Sequence, residues 1–506
     1  MIDLTFLLRR YAGFRAAELS RENHIQSQRQ VLIGLLRRAS RTQFGREHGF
    51  ERIRTVEEYQ RAVPLRRYDD FWSDYWGRNY PVLENLTWPG IIPFFASSSG
   101  TSSGVTKHIP VSAEMVKVNR RAAIDLLVHH IANRPNSRIL GGKSFLLGGS
   151  AALTSVGPDV HEGDLSGIAA ALVPWWAKGF YFPSGSDAKI TDWEEKSRVL
   201  ARRSLAEDIR SLSGTPSWLL LFFDELKKHN PNASGRLTDY WPTLELLVHG
   251  GISFEPYRTR FAELLAGSHA ETREVYPASE GFIALADRGP GDGLRMLTDN
   301  GLFFEFVPLE ELDNPQPTRH WLETLETGVN YALVLTTCAG LWSYIIGDTV
   351  RLVEQSPPRL FVTGRTSYGL SAFGEHLIGE EIDHAVATAA EFTGIRVADF
   401  MVGPVFPENG PGYHLFLVEG AEPIADEKAI LFAETVDRAL ASRNVDYSEH
   451  RAGGFGMGEP SVVFLLPGTF AAWMKARGKL GGQNKVPRVI ADAETFKKTA
   501  ETLKAI

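Results

Sequence analysis

One cysteine in 506 residues, Cys338, leaves no internal disulfide possible, and a reducing compartment suits that composition. No apolar run approaches the roughly 18 residues that a membrane-spanning helix requires. The opening MIDLTFLLRRYAGF has too short an apolar stretch ahead of its arginines to read as a signal peptide, so the expectation is a cytoplasmic protein with no membrane partner. An excess of positive charge is missing as well: 54 Lys and Arg face 61 Asp and Glu, a net charge of −7, which excludes a general nucleic-acid surface. The paired arginines Arg9–Arg10, Arg37–Arg38 and Arg202–Arg203 sit in helix-like segments and read as solvated faces. There is no internal repeat and no long low-complexity segment.

What is present is a long chain, 43% hydrophobic, with enough material for two or three cores. Residues 1 to about 75 carry Leu, Arg, Glu and Gln at helical spacing and end on the proline-marked VPLRRYDDFW, which predicts a helical N-terminal cap. From Ile91 onward, short apolar runs (IIPFFA, KSFLLGG, SWLLLFF, LELLVHGG) alternate with helix-like segments, the pattern of an α/β domain with a large mixed sheet. A boundary near Arg365 follows RLFVTGRTSYGL, with a new helix beginning near Glu375. Residues 1–364 then form a large N-terminal domain. Residues 365–506 form a smaller one whose GYHLFLVEG and PSVVFLLPG read as strands.

Four segments carry chemistry. SSSGTSSGVTKHIP, residues 97–110, combines glycines that expose backbone N–H groups with hydroxyls and an ammonium, donors that converge on phosphate oxygens. It is not a P-loop, because Lys107 comes three residues after Gly104, and the dinucleotide glycine pattern is absent. Gly100-Thr101-Ser102-Ser103-Gly104 does satisfy the nucleophile-elbow pattern of serine hydrolases. In EVYPASEGF, Tyr276 offers a face for a purine and Glu280 a carboxylate for Mg2+, although Ser-Glu-Gly is also an ordinary turn. Asp348, ending GLWSYIIGD, has the chemistry to accept both hydroxyls of a ribose, or to cap a turn. Lys485 lies in GGQNKVPR, a loop pinned by Pro487.

In this order the four segments resemble the acyl-adenylate-forming superfamily, and most closely the auxin-responsive acyl-acid amido synthetases, which couple jasmonate or indoleacetate to amino acids, and their bacterial relatives. SSGTSSGVTKHIP, YPASEG and TTCAGLWSYIIGD are similar to that family's three motifs. TQFGREHGF, VPLRRYDDF, HGGISFEPY, LFFEFVP and NKVPR extend the similarity across nearly the whole chain. The resemblance implies an adenylate-forming large domain and a mobile C-terminal α+β domain, with ATP and Mg2+ as cofactors and a carboxylic acid and an amine as substrates. It also implies that Ser98, Ser99 and Thr101, helped by Lys107, contact the phosphates. Tyr276 and Ser279 would lie at the nucleotide, with Tyr276 facing the adenine, while Glu280 holds Mg2+ and Asp348 binds the ribose. Arg365 falls in the interdomain hinge, and Lys485 matches the lysine that the small domain brings to the α-phosphate.

The chain departs from the family where plant members carry arginines and it has Ser343 and Ile345, at Pro277 after the tyrosine, and at His376 in GEHL, where relatives carry lysine. The aromatic run VPWWAKGFYFP, residues 173–183, reads either as acyl-pocket lining or as core. HEGD at 161–164 and the pair His129–His130 lack metal-ligand spacing. Rival readings are a thioester-forming acyl-CoA ligase, a serine hydrolase acting through Ser102, and a non-catalytic nucleotide-binding protein.

Overall fold

The helical cap is built by local signals. Asn23 accepts a hydrogen bond from the Gln26 backbone N–H to start the helix His24–Ala39, which buries Leu32, Leu35, Leu36 and Ala39, spaced three, one and three apart so as to fall on one face. Thr55 and Glu58 close a capping box at the head of Val56–Ala62. The computed structural model describes residues 2–99, 106–230, 233–366, 370–373, 375, 377–407, 410–451, 457–481 and 484–506. No helix among them is long and apolar enough to cross a membrane.

The chain divides into two compact units: Met1–Thr215, Glu225–Gly251 and Gly267–Phe361 form the first, and Pro216–Asp224, Ile252–Ala266 and Val362–Ile506 the second. The fold is mixed α/β, and its main sheet has twelve strands. From one edge to the other they are His320–Trp321, Leu302–Pro308, Asn330–Thr337, Tyr344–Gln355, Pro358–Arg365, Leu294–Met296, Gly281–Leu285, Glu271–Ala278, Leu246–Gly250, Ile209–Gly214, Lys143–Leu147 and Tyr181–Phe182. The last five strands run parallel and the others pair antiparallel. A second sheet orders Thr106–Val111, Phe94–Ser99, Val160–Gly163 and Thr154–Gly157. Phe95 and Ile109 of that sheet share one core with Tyr276, Ile283 and Tyr344 of the large sheet and with the cap leucines Leu32 and Leu36.

In the second unit, period-two alternation decides the layers. Phe400, Val402, Phe416 and Val418 face the helices Gly379–Thr393 and Asp426–Arg443, while Met401, Leu415 and Leu417 face Phe470, Trp473, Phe496 and Leu503. Three strands, Val397–Val405, Tyr413–Gly420 and Ser461–Leu465, thus carry an apolar layer on each side.

One sequence reading is corrected. SWLLLFF lies in the helix Pro216–His229, not in a strand. A continuous apolar run does not separate a buried helix from a buried strand, and the discriminating signal was Pro216 at the first helical position. The helix expected near Glu375 starts at Gly379, whose close approach to the Gly364 Cα leaves only 3.2 Å for a Cβ.

Candidate functional site

Tyr276 stands near the end of the strand Glu271–Ala278, ahead of the two-residue turn Ser279–Glu280. Gly281, at φ +152°, starts the return strand, and a Cβ there would lie 2.9 Å from Leu302 Cδ2. Glu280 is buried although it sits on a hairpin turn, and Tyr276 is 7% exposed. Asp348 follows Gly347, itself at φ +92°, within the strand Tyr344–Gln355. The Tyr276 hydroxyl donates to Asp348 Oδ2 at 2.7 Å.

Three strands stand between these two in the sheet order, a separation of about 19 Å in a flat sheet. The sheet therefore curls until Tyr276 and Asp348 meet. A bulge between Phe282 and Ala284 and the three-residue strand Leu294–Met296 lie on the curled part. The result is a carboxylate oriented by a phenol, with a second buried carboxylate four residues beyond that phenol in the chain.

The segment expected to contact phosphates includes the paired antiparallel strands Phe94–Ser99 and Thr106–Val111, in which Ser97 pairs with His108, Ser98 with Lys107 and Ser99 with Thr106. Thr101 and Ser102 lie outside the described residues, as does His376. The Lys107 ammonium is 5.5 Å from the centroid of the Tyr68 ring. The stem is held by residues that sequence reading passed over. Glu162, in the neighbouring strand, accepts from the Ser97 hydroxyl at 2.7 Å and from the Tyr80 hydroxyl at 2.8 Å, and lies 2.6 Å from His108 Nδ1. Burial pushes its carboxyl up, but these donors, with Ser97 and Tyr80 leading, hold it below its ordinary value. The glutamate of HEGD thus ties the stem together. The signal available in sequence was the alternation that puts Ser97 and His108 on facing strands.

Lys485 and Arg365 both belong to the second unit. Arg365 ends the strand Pro358–Arg365, directly after Gly364 at φ +148°. Asn484, next to Lys485, accepts from Trp218 Nε1 at 3.0 Å. Three residues on, Arg488 donates to the Tyr257 hydroxyl at 2.6 Å, to the Phe400 carbonyl at 3.0 Å and to Asp399. Asp383 lies nearby, its carboxyl pushed up to about 6 by burial against the opposing pull of Arg488. None of these anchors was singled out from sequence, because each is an ordinary residue until the fold gives it a partner.

Two tryptophans of the aromatic run, Trp175 and Trp176, are 84% and 66% exposed, which sets aside the core reading for them. No group of three or more His, Cys, Asp or Glu side chains suited to a metal ion occurs among the described residues.

The chain matches the GH3 family N-terminal domain over residues 14–157, the GH3 family central domain over 295–365 and the GH3 family C-terminal domain over 380–494. It is 23% identical to a probable indole-3-acetic acid-amido synthetase GH3.1 of Oryza sativa subsp. japonica, across 92% of this chain and 87% of that protein. Indole-3-acetic acid-amido synthetase GH3.4 of Arabidopsis thaliana is also 23% identical, across 92% and 89%. Among solved structures, the AtGH3.15 acyl acid amido synthetase in complex with 2,4-DB superposes with a TM-score of 0.78 at 19% identity, covering 98% of this chain and 96% of that one. A 2-hydroxyisobutyryl-CoA ligase in the postadenylation state with 2-HIB-AMP follows at 0.63 and 14% identity, covering 95% and 92%. The two-domain α/β fold is that of the adenylate-forming enzymes, and the chain belongs to the GH3 family.

Proposed function

We propose that this protein is an ATP-dependent acyl-acid amido synthetase, which activates a carboxylic acid as its acyl-adenylate and passes the acyl group to the amine of an amino acid. The observation that carries the reading is the Tyr276–Asp348 hydrogen bond, which joins two of the chemistry-bearing segments into one arrangement suited to a nucleoside. Asp348 accepts the ribose hydroxyls, and Tyr276 orients that carboxylate while its ring faces the adenine. Ser98, Ser99 and Thr101 donate to the phosphates, with Lys107 alongside, and Ser279 lies at the nucleotide. Glu280 fits Mg2+, because this ion is held through one or two carboxylates together with substrate phosphates. When bound there, Mg2+ neutralises phosphate charge.

In the first step an oxygen of the substrate carboxylate attacks the α-phosphorus, the α–β bridging bond breaks, and pyrophosphate leaves. Lys485 places its ammonium against the charge that spreads over the α-phosphoryl oxygens. In the second step the amine nitrogen attacks the activated carbonyl, the bond to the AMP oxygen breaks, and amide and AMP depart. Movement of the small domain about a hinge at Arg365 exchanges the lysine loop for the acceptor between steps.

Pyrophosphate release across a panel of carboxylic acids tests the reading, run first with ATP and Mg2+ alone and then with amino acids or CoA. Acid-dependent release followed by amide formation supports it. Thioester formation with CoA in place of amide favours an acyl-CoA ligase, and ester cleavage without ATP favours the hydrolase.

A further inference from the structure

Lys485 lies in a stretch with neither helix nor strand, so no backbone ladder of its own fixes it. Yet both of its flanks are tied. Ahead of it, the Asn484 carbonyl accepts from Trp218 Nε1 at 3.0 Å and the Asn484 amide donates to the Gly481 carbonyl at 3.2 Å. Behind it, the Arg488 guanidinium is buried, centred 4.2 Å from the Phe400 ring centroid and bonded to Asp399, to the Phe400 carbonyl and to the Tyr257 hydroxyl. Tyr257 is fully buried and in turn donates to Asp399 Oδ1 at 3.3 Å. The Arg488 backbone carbonyl accepts from the Val402 N–H at 2.9 Å, which seats the loop on the strand Val397–Val405.

The two outer anchors come from unusual places in the chain. Trp218 belongs to Pro216–Asp224 and Tyr257 to Ile252–Ala266, two stretches of the second unit bounded on each side in sequence by residues of the first. The second stretch is held further by Glu255 Oε1 at 2.8 Å from His384 Nδ1. We propose that Trp218 and Tyr257 are positioning residues for Lys485. They form a two-point clamp, one point on each side of the lysine, that holds its loop in place for adenylation. The inference rests on the proposed role of Lys485 in the first step.

The clamp predicts an effect confined to one half-reaction, whereas a purely structural role predicts loss in both. Trp218→Phe keeps an aromatic ring and removes the indole donor, and Tyr257→Phe removes a single hydroxyl. In the full-length protein, each is expected to slow acid-dependent pyrophosphate release by roughly 10- to 100-fold, the scale of a small misplacement of a catalytic group. Amide formation from chemically synthesised acyl-adenylate and amine should stay within about twofold of the parent rate on the same scale of reasoning. Combined with Lys485→Ala, either change should add nothing further, because the residue it positions is gone. Equal losses in both half-reactions, an unchanged adenylation rate in a folded Trp218→Phe protein, or multiplicative effects with Lys485→Ala each overturn the clamp. If Lys485→Ala alone leaves adenylation intact, it is the assignment of Lys485 that fails. Should Tyr257→Phe prove unfolded by its thermal melt, Trp218→Phe decides the matter.

Discussion

The Tyr276 hydroxyl donates a 2.7 Å hydrogen bond to Asp348 Oδ2, joining positions 72 residues apart in the chain and four strand steps apart in the sheet. A hydrogen bond to an ionised group contributes about 1.5–3 kcal/mol, so Asp348→Ala should weaken ATP binding about tenfold or more in a folded protein. Tyr276→Phe removes the orienting donor while keeping the ring, and a loss of roughly three- to tenfold is expected. Calorimetric titration with ATP checks both, and unchanged affinity for Asp348→Ala would show that this carboxylate does not meet the nucleotide.

Glu162 gathers Ser97, Tyr80 and His108 at the base of the proposed phosphate loop. Glu162→Ala leaves those groups without their acceptor, a cost of about 1–3 kcal/mol in stability. The KM for ATP should rise severalfold while the KM for the acyl acid holds, as read from pyrophosphate-release kinetics. Equal changes in both constants would mean that the cluster acts on the whole protein and not on the loop.

Gly281 follows the Ser279–Glu280 turn at φ +152°, with room only for hydrogen against Leu302. Gly281→Ala should cost about 1–3 kcal/mol in chemical denaturation, through backbone strain and the side-chain clash. It should also weaken ATP binding, because the turn that carries Glu280 shifts. Normal stability and normal affinity in this variant would contradict the described turn.

His130 supplies a pH prediction. It is fully buried, with Nδ1 2.6 Å from Glu271 Oε1 and Nε2 3.8 Å from Glu245 Oε2. Burial opposes its charging, but the two glutamates outweigh burial and raise its pKa above the ordinary 6.5. Burial likewise opposes ionisation of Glu245 and Glu271, but hydrogen bonds led by His130 hold both down to about 2. A raised histidine stabilises fully below 6.5 and loses that contribution as pH climbs through its folded value. The depressed glutamates stabilise fully above 4.5 and lose theirs as pH falls toward 2. The cluster is therefore strongest between about pH 4.5 and 6.5. His130→Leu should cost roughly 3–5 kcal/mol there and flatten the decline of the melting temperature above that window. A variant whose melting profile keeps the parent slope above pH 6.5 would exclude His130 as its source.

Much of this was legible in the sequence, for reasons particular to each segment. The helical cap showed through the spacing of Leu32, Leu35, Leu36 and Ala39, and the strands of the second unit through the alternation of Phe400, Met401 and Val402. Motif chemistry pointed to Tyr276, Glu280 and Asp348 separately, but the meeting of Tyr276 with Asp348 depends on a curled sheet that no local pattern encodes. SWLLLFF misled because a run apolar on every side has no period, and the helix declared itself only through Pro216. Glu162, Trp218, Tyr257 and Arg488 stayed hidden because their roles arise from partners up to 266 residues away.

The central claim, that a carboxylate oxygen attacks the α-phosphorus before an amine takes the acyl group, is tested most directly by isotope transfer. An accepted acid carrying 18O in both carboxylate positions is incubated with ATP, Mg2+ and amino acid, and the products are weighed by mass spectrometry. The account predicts one 18O in AMP, one retained in the amide and none in pyrophosphate. Label in inorganic phosphate with ADP as co-product, or amide formed without ATP, would contradict it.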